Sequence, residues 1–505
     1  MIKNKLGKYN LPTLVQYCKN CTRSNQRPHN LGEFNQKINE KKKYVGLNKK
    51  GLCGACEYYF EKDKIDWNKR EIELKKLCNK YRKKDGNFDV IVPGSGGKDS
   101  VFVAHQLRNK YKMNPLLVTW RPAIYTDIGK KNYLSWLKLA KSNYSYSQNK
   151  KVHRLLTKLA FENLCHPFQP FILGQKNFAP KVAIKFNIKL IMYGESYVEF
   201  GMSKKTKNQP KMDEKYYSSD ENLKNLYISG IKVKDLIKKY KLSYSDLKIY
   251  LPLNRRSISD NNIKFYNYSY FKKWNFHDNY YYALKNSEFK PNNVRLEGSY
   301  DKYASMDDKM DWLHFYTFYI KFGMGRTTAA TDQEIRSGVI TRDEGISLVK
   351  RFDGEYPKMY LNDILKYMNI SKSRFEKIID KAIKLKIPMI ALFPHIKDNL
   401  KNMSGSEALN ENNLICRAIK FIKKRYKNQI GIMCDVALDP FTSHGHDGVY
   451  KNGKILNDET INVLIEQSLL QAEMGCDVLA PSDMMDGRIG KIRKALDKNK
   501  FQNVQ

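Results

Sequence analysis

Long apolar runs are missing from this 505-residue chain, although 41% of its residues are hydrophobic. No stretch approaches the ~20 consecutive apolar residues that a membrane-spanning helix needs. The amino-terminal residues are polar and rich in lysine, without the apolar core of a signal peptide. These absences argue against a membrane span and predict a cytoplasmic protein.

Acidic residues are scarce as well, because 52 Asp and Glu face 91 Lys and Arg and leave a formal net charge of +39. The excess lies before residue 386, since residues 386–505 contain 17 basic and 14 acidic residues and only two of the 34 tyrosines. Two stretches of different composition therefore meet near residue 385, and we expect at least two domains.

The positive charge has two explanations. It suits a nucleic-acid partner, and it equally suits the composition of an AT-rich genome, in which Lys, Asn, Ile and Tyr are abundant together. Aromatic residues and lysines alternate over residues 264–276, which favours either stacking on bases or tyrosine packing in an inserted segment. A nucleic-acid partner is neither required nor excluded.

The most informative motif is GSGGKDS at residues 94–100, directly after an apolar run at 88–92. The run predicts a buried strand, and a helix is expected to begin at Ser100. Glycines let the backbone approach an anion, and a helix amino terminus offers free N–H groups and a positive dipole end. The spacing differs from that of the P-loop. The motif therefore predicts another kind of phosphate loop, with an ordinary glycine turn as the alternative.

Two C-x-x-C pairs precede this loop. They consist of Cys18, Cys21, Cys53 and Cys56. Two such pairs about 30 residues apart are typical of tetrahedral zinc–thiolate sites. Because all four ligands would be sulfur, we expect a structural zinc ion, with redox or unrelated cysteines as the alternative.

The phosphate loop resembles that of the PP-loop ATP pyrophosphatases, and its surroundings resemble the N-acetyl sugar amidotransferases of lipopolysaccharide, pseudaminic and legionaminic acid biosynthesis. The resemblance covers nearly all of residues 15–380 and is carried by residues 64–67, 94–100, 114–120, 166–171, 192–195, 321–326, 340–345 and 350–357. One departure is the polar stretch 143–149, where the family has an apolar strand. Such a stretch suits an edge strand better than a buried one.

The resemblance implies an ATP-dependent reaction that gives AMP and pyrophosphate. The N-acetyl oxygen of a sugar is adenylated, and ammonia then displaces AMP to leave an acetamidino group. The residues implied in binding ATP are Ser95, Gly96, Gly97, Lys98, Asp99 and Ser100. Those implied in catalysis are Lys98, Asp99, Lys321, Arg326 and Glu195, with ordinary ion pairs as the alternative for the last three. Asp99 would hold Mg²⁺ or orient the loop.

The family also implies partners. Its members take ammonia from glutaminase and cyclase-like subunits, and this chain shows no glutaminase motif of its own. We therefore expect an ammonia-supplying partner and an N-acetyl sugar substrate of the nucleotide or nonulosonate type.

From about residue 387 the sequence resembles a different family, porphobilinogen synthase, a (β/α)8 barrel of tetrapyrrole synthesis. The resemblance is carried by residues 391–394, 435–448 and 480–490. Apolar runs at Ile387–Phe393, Ile430–Leu438 and Cys476–Ala480, separated by helical patterns at 412–426 and 458–474, predict parallel strands.

The resemblance covers about the middle third of that family and lacks its Schiff-base lysines. We therefore expect no synthase activity. Zinc-dependent members carry cysteines at the positions of Ala437, Asp439 and Asp447, which implies a magnesium-type member with Asp439 and Asp447 as candidate Mg²⁺ ligands.

The predicted fold is α/β. A zinc ribbon and linker occupy residues 1–65, a doubly wound parallel sheet of the PP-loop type occupies 66–385 with a tyrosine-rich insertion at about 202–300, and a partial barrel fragment occupies 386–505. A gene fusion, an assembly error or a frameshift would each produce this arrangement. The alternative functions are a tRNA-modifying PP-loop enzyme, porphobilinogen synthase itself and a scaffold without catalysis.

Overall fold

The computed structural model describes residues 12, 14–26, 46–195, 198–199, 209–383, 389–394, 396–426 and 431–505. The chain divides into two units, Met1–Ile379 and Asp380–Gln505. The predicted strand starts at Ile387 and Ile430, and residues 202–208 of the predicted insertion, lie outside the described residues.

A five-stranded parallel sheet forms the centre of the first unit. The strands of this unit are β1 (Val90–Pro93), β2 (Pro115–Trp120), β3 (Ser142–Tyr146), β4 (Leu190–Tyr193), β5 (Tyr227–Ile228), β6 (Ile231–Lys232) and β7 (Lys264–Asn267). The sheet has the order β3-β2-β1-β4-β7, and β5 and β6 form a separate hairpin. Ile91 packs into one hydrophobic core, and Val90 and Val92 pack into another on the opposite face. Both faces of the sheet are therefore covered, which explains why the run at β1 is continuously apolar.

Helices cover these two faces and extend beyond them. The helices are α1 (Gly54–Lys62), α2 (Trp67–Tyr81), α3 (Lys98–His105), α4 (Asp127–Leu137), α5 (Lys150–Leu164), α6 (Gln169–Lys185), α7 (Val233–Tyr240), α8 (Tyr244–Lys248), α9 (Arg255–Asp260), α10 (Tyr268–Phe271), α11 (Phe276–Asn286), α12 (Lys309–Phe322), α13 (Arg326–Arg336), α14 (Arg342–Phe352), α15 (Lys358–Met368) and α16 (Lys372–Ile383). Local capping sets several of their starts. Asp66 accepts a hydrogen bond from the Lys69 N–H before α2, and Thr341 and Glu344 form a capping box at α14.

The polar stretch at 143–149 contributes the edge strand β3, paired in parallel with β2 alone among the described strands. Its two tyrosines still pack inward. Tyr146 stacks on Trp120 with ring centroids 5.1 Å apart, and Tyr144 stacks on Phe178 at 5.9 Å. Aromatic side chains thus supply the apolar contact that this strand's serines and asparagine lack.

The aromatic residues of segment 264–276 belong to the core. Phe265, Tyr266, Tyr268, Phe271 and Trp274 are all at most 6% exposed. Most rings of this segment therefore pack inside the fold, as the packing interpretation expects, whereas Tyr270 and Phe276 remain partly exposed.

The second unit contains three parallel strands in the order β12-β9-β8. Its elements are β8 (Met389–Leu392), α17 (Leu414–Tyr426), β9 (Gly431–Val436), β10 (Tyr450–Lys451), β11 (Lys454–Ile455), α18 (Asn457–Glu473), β12 (Val478–Pro481) and α19 (Arg488–Lys498). The predicted alternation of strands and helices is confirmed, whereas the β10–β11 hairpin and α19 were not predicted. Among the described residues, no helix combines the length and apolarity that crossing a bilayer requires.

Candidate functional site

The loop between β1 and α3 holds two glycines at positions that admit no side chain. Gly96 has a φ of +98°, and a Cβ there would lie 2.4 Å from the carbonyl oxygen of Asn132. A Cβ on Gly94 would lie 2.5 Å from the Cβ of Ser100. Gly97 is exposed and a Cβ there would meet nothing within 4 Å. Open space therefore adjoins the amino end of α3, which no side chain caps and which favours an anion.

The two serines of the loop have different partners. Ser100 donates its hydroxyl hydrogen to the carbonyl oxygen of Gly97 at 2.9 Å. Ser95 hydrogen-bonds Asp307, which lowers the pKa of that carboxyl, although burial raises it more strongly. Ser100 therefore braces the loop, and Ser95 ties it to a buried acidic residue that the sequence did not suggest.

Lys98 is 6% exposed, and its Nζ lies 2.5 Å from Oδ2 of Asp99. The other carboxylate oxygen of Asp99 accepts a hydrogen bond from Asn279 at 2.9 Å. The ammonium group also lies 4.8 Å from the ring centroid of Phe276, a favourable cation–π distance. Asp99 and Phe276 thus hold the ammonium group of Lys98 in place beside the loop.

A small cleft opens beside Lys98. It is lined by Lys98, Asn275, Phe276, His277, Asp301, Tyr303, Arg326, Ala330, Gln333, Glu334 and Ser337. Two predicted catalytic residues, Lys98 and Arg326, therefore meet at one cleft although 228 positions separate them. The Nε atom of Arg326 is buried without a hydrogen-bond partner among the described residues, so this guanidinium has capacity left for a ligand.

Glu195 follows β4, the strand beside β1 in the sheet. Burial, and then the negative charge of Asp99, raise the pKa of Glu195 to about 7, against the opposing charge of Lys98. Because these charges act on it, Glu195 lies in the same electrostatic environment as the loop. A carboxyl with this pKa is able to exchange protons near neutral pH.

Lys321 lies elsewhere. It projects from α12 and donates a hydrogen bond from Nζ to the carbonyl oxygen of Leu164 at 3.3 Å. It is not among the residues that line the cleft. The structure therefore separates Lys321 from the other predicted catalytic residues.

Several residues of the cleft carried no sequence motif. Glu334 accepts hydrogen bonds from Tyr300 at 2.6 Å and Tyr303 at 3.3 Å, and its carboxylate lies 3.7 Å from Nδ1 of His277. These residues come from three separate segments of the chain, and only their folding onto one cleft reveals them. Of these residues, only Glu334 lies close in sequence to the matched stretch at 321–326.

The four cysteines of the two C-x-x-C pairs form one cluster. All are at most 1% exposed, and their sulfur atoms lie within 4.8 Å of one another. The Sγ atoms of Cys21 and Cys53 are 3.7 Å apart, close to the roughly 3.8 Å expected between thiolates that each bind zinc at about 2.3 Å in a tetrahedron. The donor set therefore fits a zinc ion, and within the described residues it is the one group of three or more candidate ligands gathered this closely.

Asp439 and Asp447 belong to the loop after β9. Burial raises the pKa of the neighbouring Asp435 to about 6, and the charges of Asp439 and Asp447 add to this increase. Ser482 donates a hydrogen bond to Asp435 at 2.6 Å. The described residues do not gather three candidate ligands around Asp439 and Asp447, and the Mg²⁺ site expected there stays a prediction.

Comparison with known proteins finds two similarities. Residues 297–388 match the family described as LPS biosynthesis protein WbpG-like, C-terminal domain, and residues 348–505 match the delta-aminolevulinic acid dehydratase family. The two matches overlap over 348–388. The first covers Arg326 and Glu334 but neither the phosphate loop nor the cysteine cluster.

Curated relatives match the second segment. Delta-aminolevulinic acid dehydratase of Bradyrhizobium diazoefficiens is 47% identical over 171 residues, which are 34% of this chain and 48% of the relative. The chloroplastic enzyme 1 of Arabidopsis thaliana is 50% identical over 127 residues, 25% of this chain and 29% of its own length. A Toxoplasma gondii crystal structure of delta-aminolevulinic acid dehydratase (porphobilinogen synthase) with porphobilinogen is 38% identical, covers 26% of this chain and 38% of its own, and has a TM-score of 0.25.

The chain thus spans less than half the length of these relatives. Both predicted resemblances, to a lipopolysaccharide biosynthesis family and to porphobilinogen synthase, are confirmed by these matches. The chain joins a segment similar to the C-terminal domain of WbpG-like LPS biosynthesis proteins to a segment similar to part of delta-aminolevulinic acid dehydratase.

Proposed function

We propose that the first unit is an ATP-dependent amidotransferase that converts the N-acetyl group of a sugar into an acetamidino group for surface polysaccharide biosynthesis. The observation that carries this proposal is the meeting of Arg326 and Lys98 at one cleft, where Lys98 follows the carboxyl end of β1 and Glu195 follows the carboxyl end of the neighbouring β4. Ligands bind at such strand ends in open α/β sheets. The match of residues 297–388 to an LPS biosynthesis family supports the sugar as substrate class.

The first step forms a bond between the acetamido oxygen and the α-phosphorus of ATP and breaks the bond from that phosphorus to the bridging oxygen, so that pyrophosphate leaves. The amino end of α3 and the open face at Gly97 are suited to hold the pyrophosphate oxygens. Lys98 and Arg326 supply positive charge where negative charge accumulates in the transition state. ATP would enter with Mg²⁺, which would neutralise further phosphate charge.

The second step forms a bond between ammonia and the activated carbon, and AMP departs with the former acetamido oxygen. The attacking nitrogen must lose a proton as its bond forms. We assign the acceptance of that proton to Glu195, whose pKa is raised to about 7. Ammonia would come from glutaminase and cyclase-like partner subunits.

The four-cysteine cluster would hold zinc in a structural role, because four thiolates complete a tetrahedral shell and leave no open position for a substrate. The second unit would contribute no porphobilinogen synthase activity. Its described residues form three parallel strands, whereas a closed barrel of that type has eight.

The test is pyrophosphate release from ATP with ammonia and a panel of N-acetyl sugars, both nucleotide-linked and nonulosonate. We expect release that requires one of these sugars and that Lys98→Ala lowers by about 10²-fold or more, since it removes a charge at the transferred phosphorus. Lys130→Ala, which removes an exposed lysine of α4, is the matched control and should behave as wild type.

Three results would contradict the proposal. The first is the absence of sugar-dependent release, and the second is equal rates for Lys98→Ala and wild type. The third is release that requires tRNA in place of a sugar, which would assign the first unit to RNA modification.

A further inference from the structure

Helix α13 lies between the cysteine cluster and the cleft. Its residues Arg326, Ala330, Gln333 and Glu334 line the cleft, as does Ser337 just after the helix. The positions 331, 332 and 335 fall on the other side of the helix. The side chain of Ile335 packs against the buried cysteines. One short helix therefore contacts both features.

The first C-x-x-C pair is joined to α13 by a buried polar network. Arg23 donates from Nε to Oδ2 of Asp332 at 2.7 Å, and Thr22 donates to Oδ1 of the same carboxylate at 3.0 Å. Thr22 also lies 3.0 Å from the hydroxyl of Thr331. Arg23 and Asp332 have side chains only 3% and 0% exposed. Thr22 and Arg23 directly follow Cys21, so any shift of this ligand moves the groups that hold Asp332.

The second C-x-x-C pair reaches the far end of α13 by another route. Cys53 directly precedes α1, whose last residue, Lys62, forms a buried ion pair with Glu199 at 2.7 Å. The backbone oxygen of Glu199 accepts a hydrogen bond from Arg336 at 3.4 Å. Both C-x-x-C pairs are therefore linked through buried charges to the helix that lines the cleft.

Buried ion pairs of this kind specify position more than they add stability. Each charge has lost its water, so the pair is favourable only in a geometry that satisfies both partners. Asp332 accepts hydrogen bonds from Thr22 and Arg23, which directly follow the first C-x-x-C pair. Helix α13 therefore has little freedom to rotate or slide. A rotation of α13 by one residue, about 100°, would carry Arg326 and Glu334 away from Lys98.

We propose that α13 couples metal binding at Cys18, Cys21, Cys53 and Cys56 to the geometry of the cleft, with Asp332 as the positioning residue. The proposal takes zinc to occupy the cysteines, and only its ATP-dependent part rests on the proposed function, because that part requires ATP to bind beside Lys98. Coupling of this kind is reciprocal, so a ligand that orders α13 from the cleft side also strengthens metal binding.

The deciding measurement is amide hydrogen exchange along the full chain, with zinc bound and after its removal by a chelator. We expect exchange in α13 to accelerate by roughly 5- to 150-fold on zinc removal, the range of typical coupling energies. Helix α18 of the second unit should be unchanged. Unchanged exchange in α13 after complete loss of zinc would overturn the proposal.

A substitution keeps the proposal testable if the zinc-free protein unfolds as a whole. Asp332→Asn in the zinc-loaded protein removes the charge from the network and should accelerate exchange in α13 and zinc transfer to a chromophoric chelator. Asp89→Asn is the matched control, because Asp89 is also buried and accepts two backbone hydrogen bonds, but at the amino end of β1. Equal exchange in α13 for the two variants would contradict the role of Asp332.

ATP separates this proposal from the proposed function. In wild type, ATP should slow zinc transfer several-fold, and Asp332→Asn should abolish that effect. If ATP has no effect while zinc removal still accelerates exchange in α13, the coupling stands and ATP binding in the cleft fails. If ATP binds but zinc removal leaves hydrogen exchange in α13 unchanged, the coupling fails and the proposed function stands.

Discussion

At the scale of single residues, Glu195 shows how its surroundings set its chemistry. Burial and the charge of Asp99 raise the pKa of this carboxyl to about 7 from an ordinary value of 4.5. Between these two values the folded state retains a proton that the unfolded state releases. Folding stability contributed by Glu195 is therefore complete below about pH 4.5 and is lost as the pH rises through about 7.

Replacing Glu195 with glutamine removes this titration while preserving the shape of the side chain. Between pH 5 and pH 7.5, the free energy of unfolding of wild type should fall more steeply than that of Glu195→Gln, as measured by urea titration. Glu221→Gln, at an exposed position, is the control and should follow wild type. A Glu195→Gln variant with the same pH dependence as wild type would show that this carboxyl is not perturbed.

At the scale of elements, the contact between α6 and β2 depends on one missing side chain. A Cβ on Gly174 in α6 would lie 2.0 Å from Cζ2 of Trp120. Trp120 also stacks on Tyr146 of the edge strand, so the close approach of this helix holds the edge of the sheet in place. Glycine is normally unfavourable inside a helix, and here the packing explains its presence.

Gly174→Ala should destabilise the first unit by about 1–3 kcal/mol, the usual cost of overpacking a filled core. Gly490→Ala in α19 tests the opposite case, because a Cβ there meets nothing within 4 Å. It should stabilise the second unit by up to about 1 kcal/mol through helix propensity. Thermal unfolding of both variants measures these effects, and a neutral Gly174→Ala would contradict the packing.

Local sequence patterns predicted the strands and helices better than they predicted which residues come together in the fold. The apolar runs at β1, β4 and β9 identified strands because both faces of a parallel sheet are buried. Edge strand β3 was harder to recognise, since its tyrosines pack inward between serines. The cleft was predicted only in part, because Glu334 and His277 reach it from distant segments and no local pattern records such an approach.

At the scale of the whole molecule, two units of different composition share one chain. The division at Ile379 falls inside the overlap of the two family matches, 348–388. The second unit keeps a core of its own, with Ile432, Val436 and Leu464 fully buried. It therefore has the packing of a folded unit while presenting only three parallel strands among its described residues.

Incubation of the full chain with 5-aminolevulinate and Mg²⁺ should yield no porphobilinogen. A three-stranded sheet cannot enclose a barrel site. The enzyme from Bradyrhizobium diazoefficiens, assayed in parallel, is the positive control. Measurable turnover by the full chain would show that the second unit forms a working site by another route.

The indole of Trp136 has a consequence for how the phosphate loop can be observed. Trp136 is fully buried and donates a hydrogen bond to Thr119 at 3.1 Å, and Thr119 in turn donates to the carbonyl oxygen of Gly94 at 2.7 Å. The chain has only five tryptophans, and Trp136 is linked to the loop by two hydrogen bonds through Thr119. Trp136 is thus a natural fluorophore linked to the loop, and its fluorescence should change when an anion binds there, without any added label.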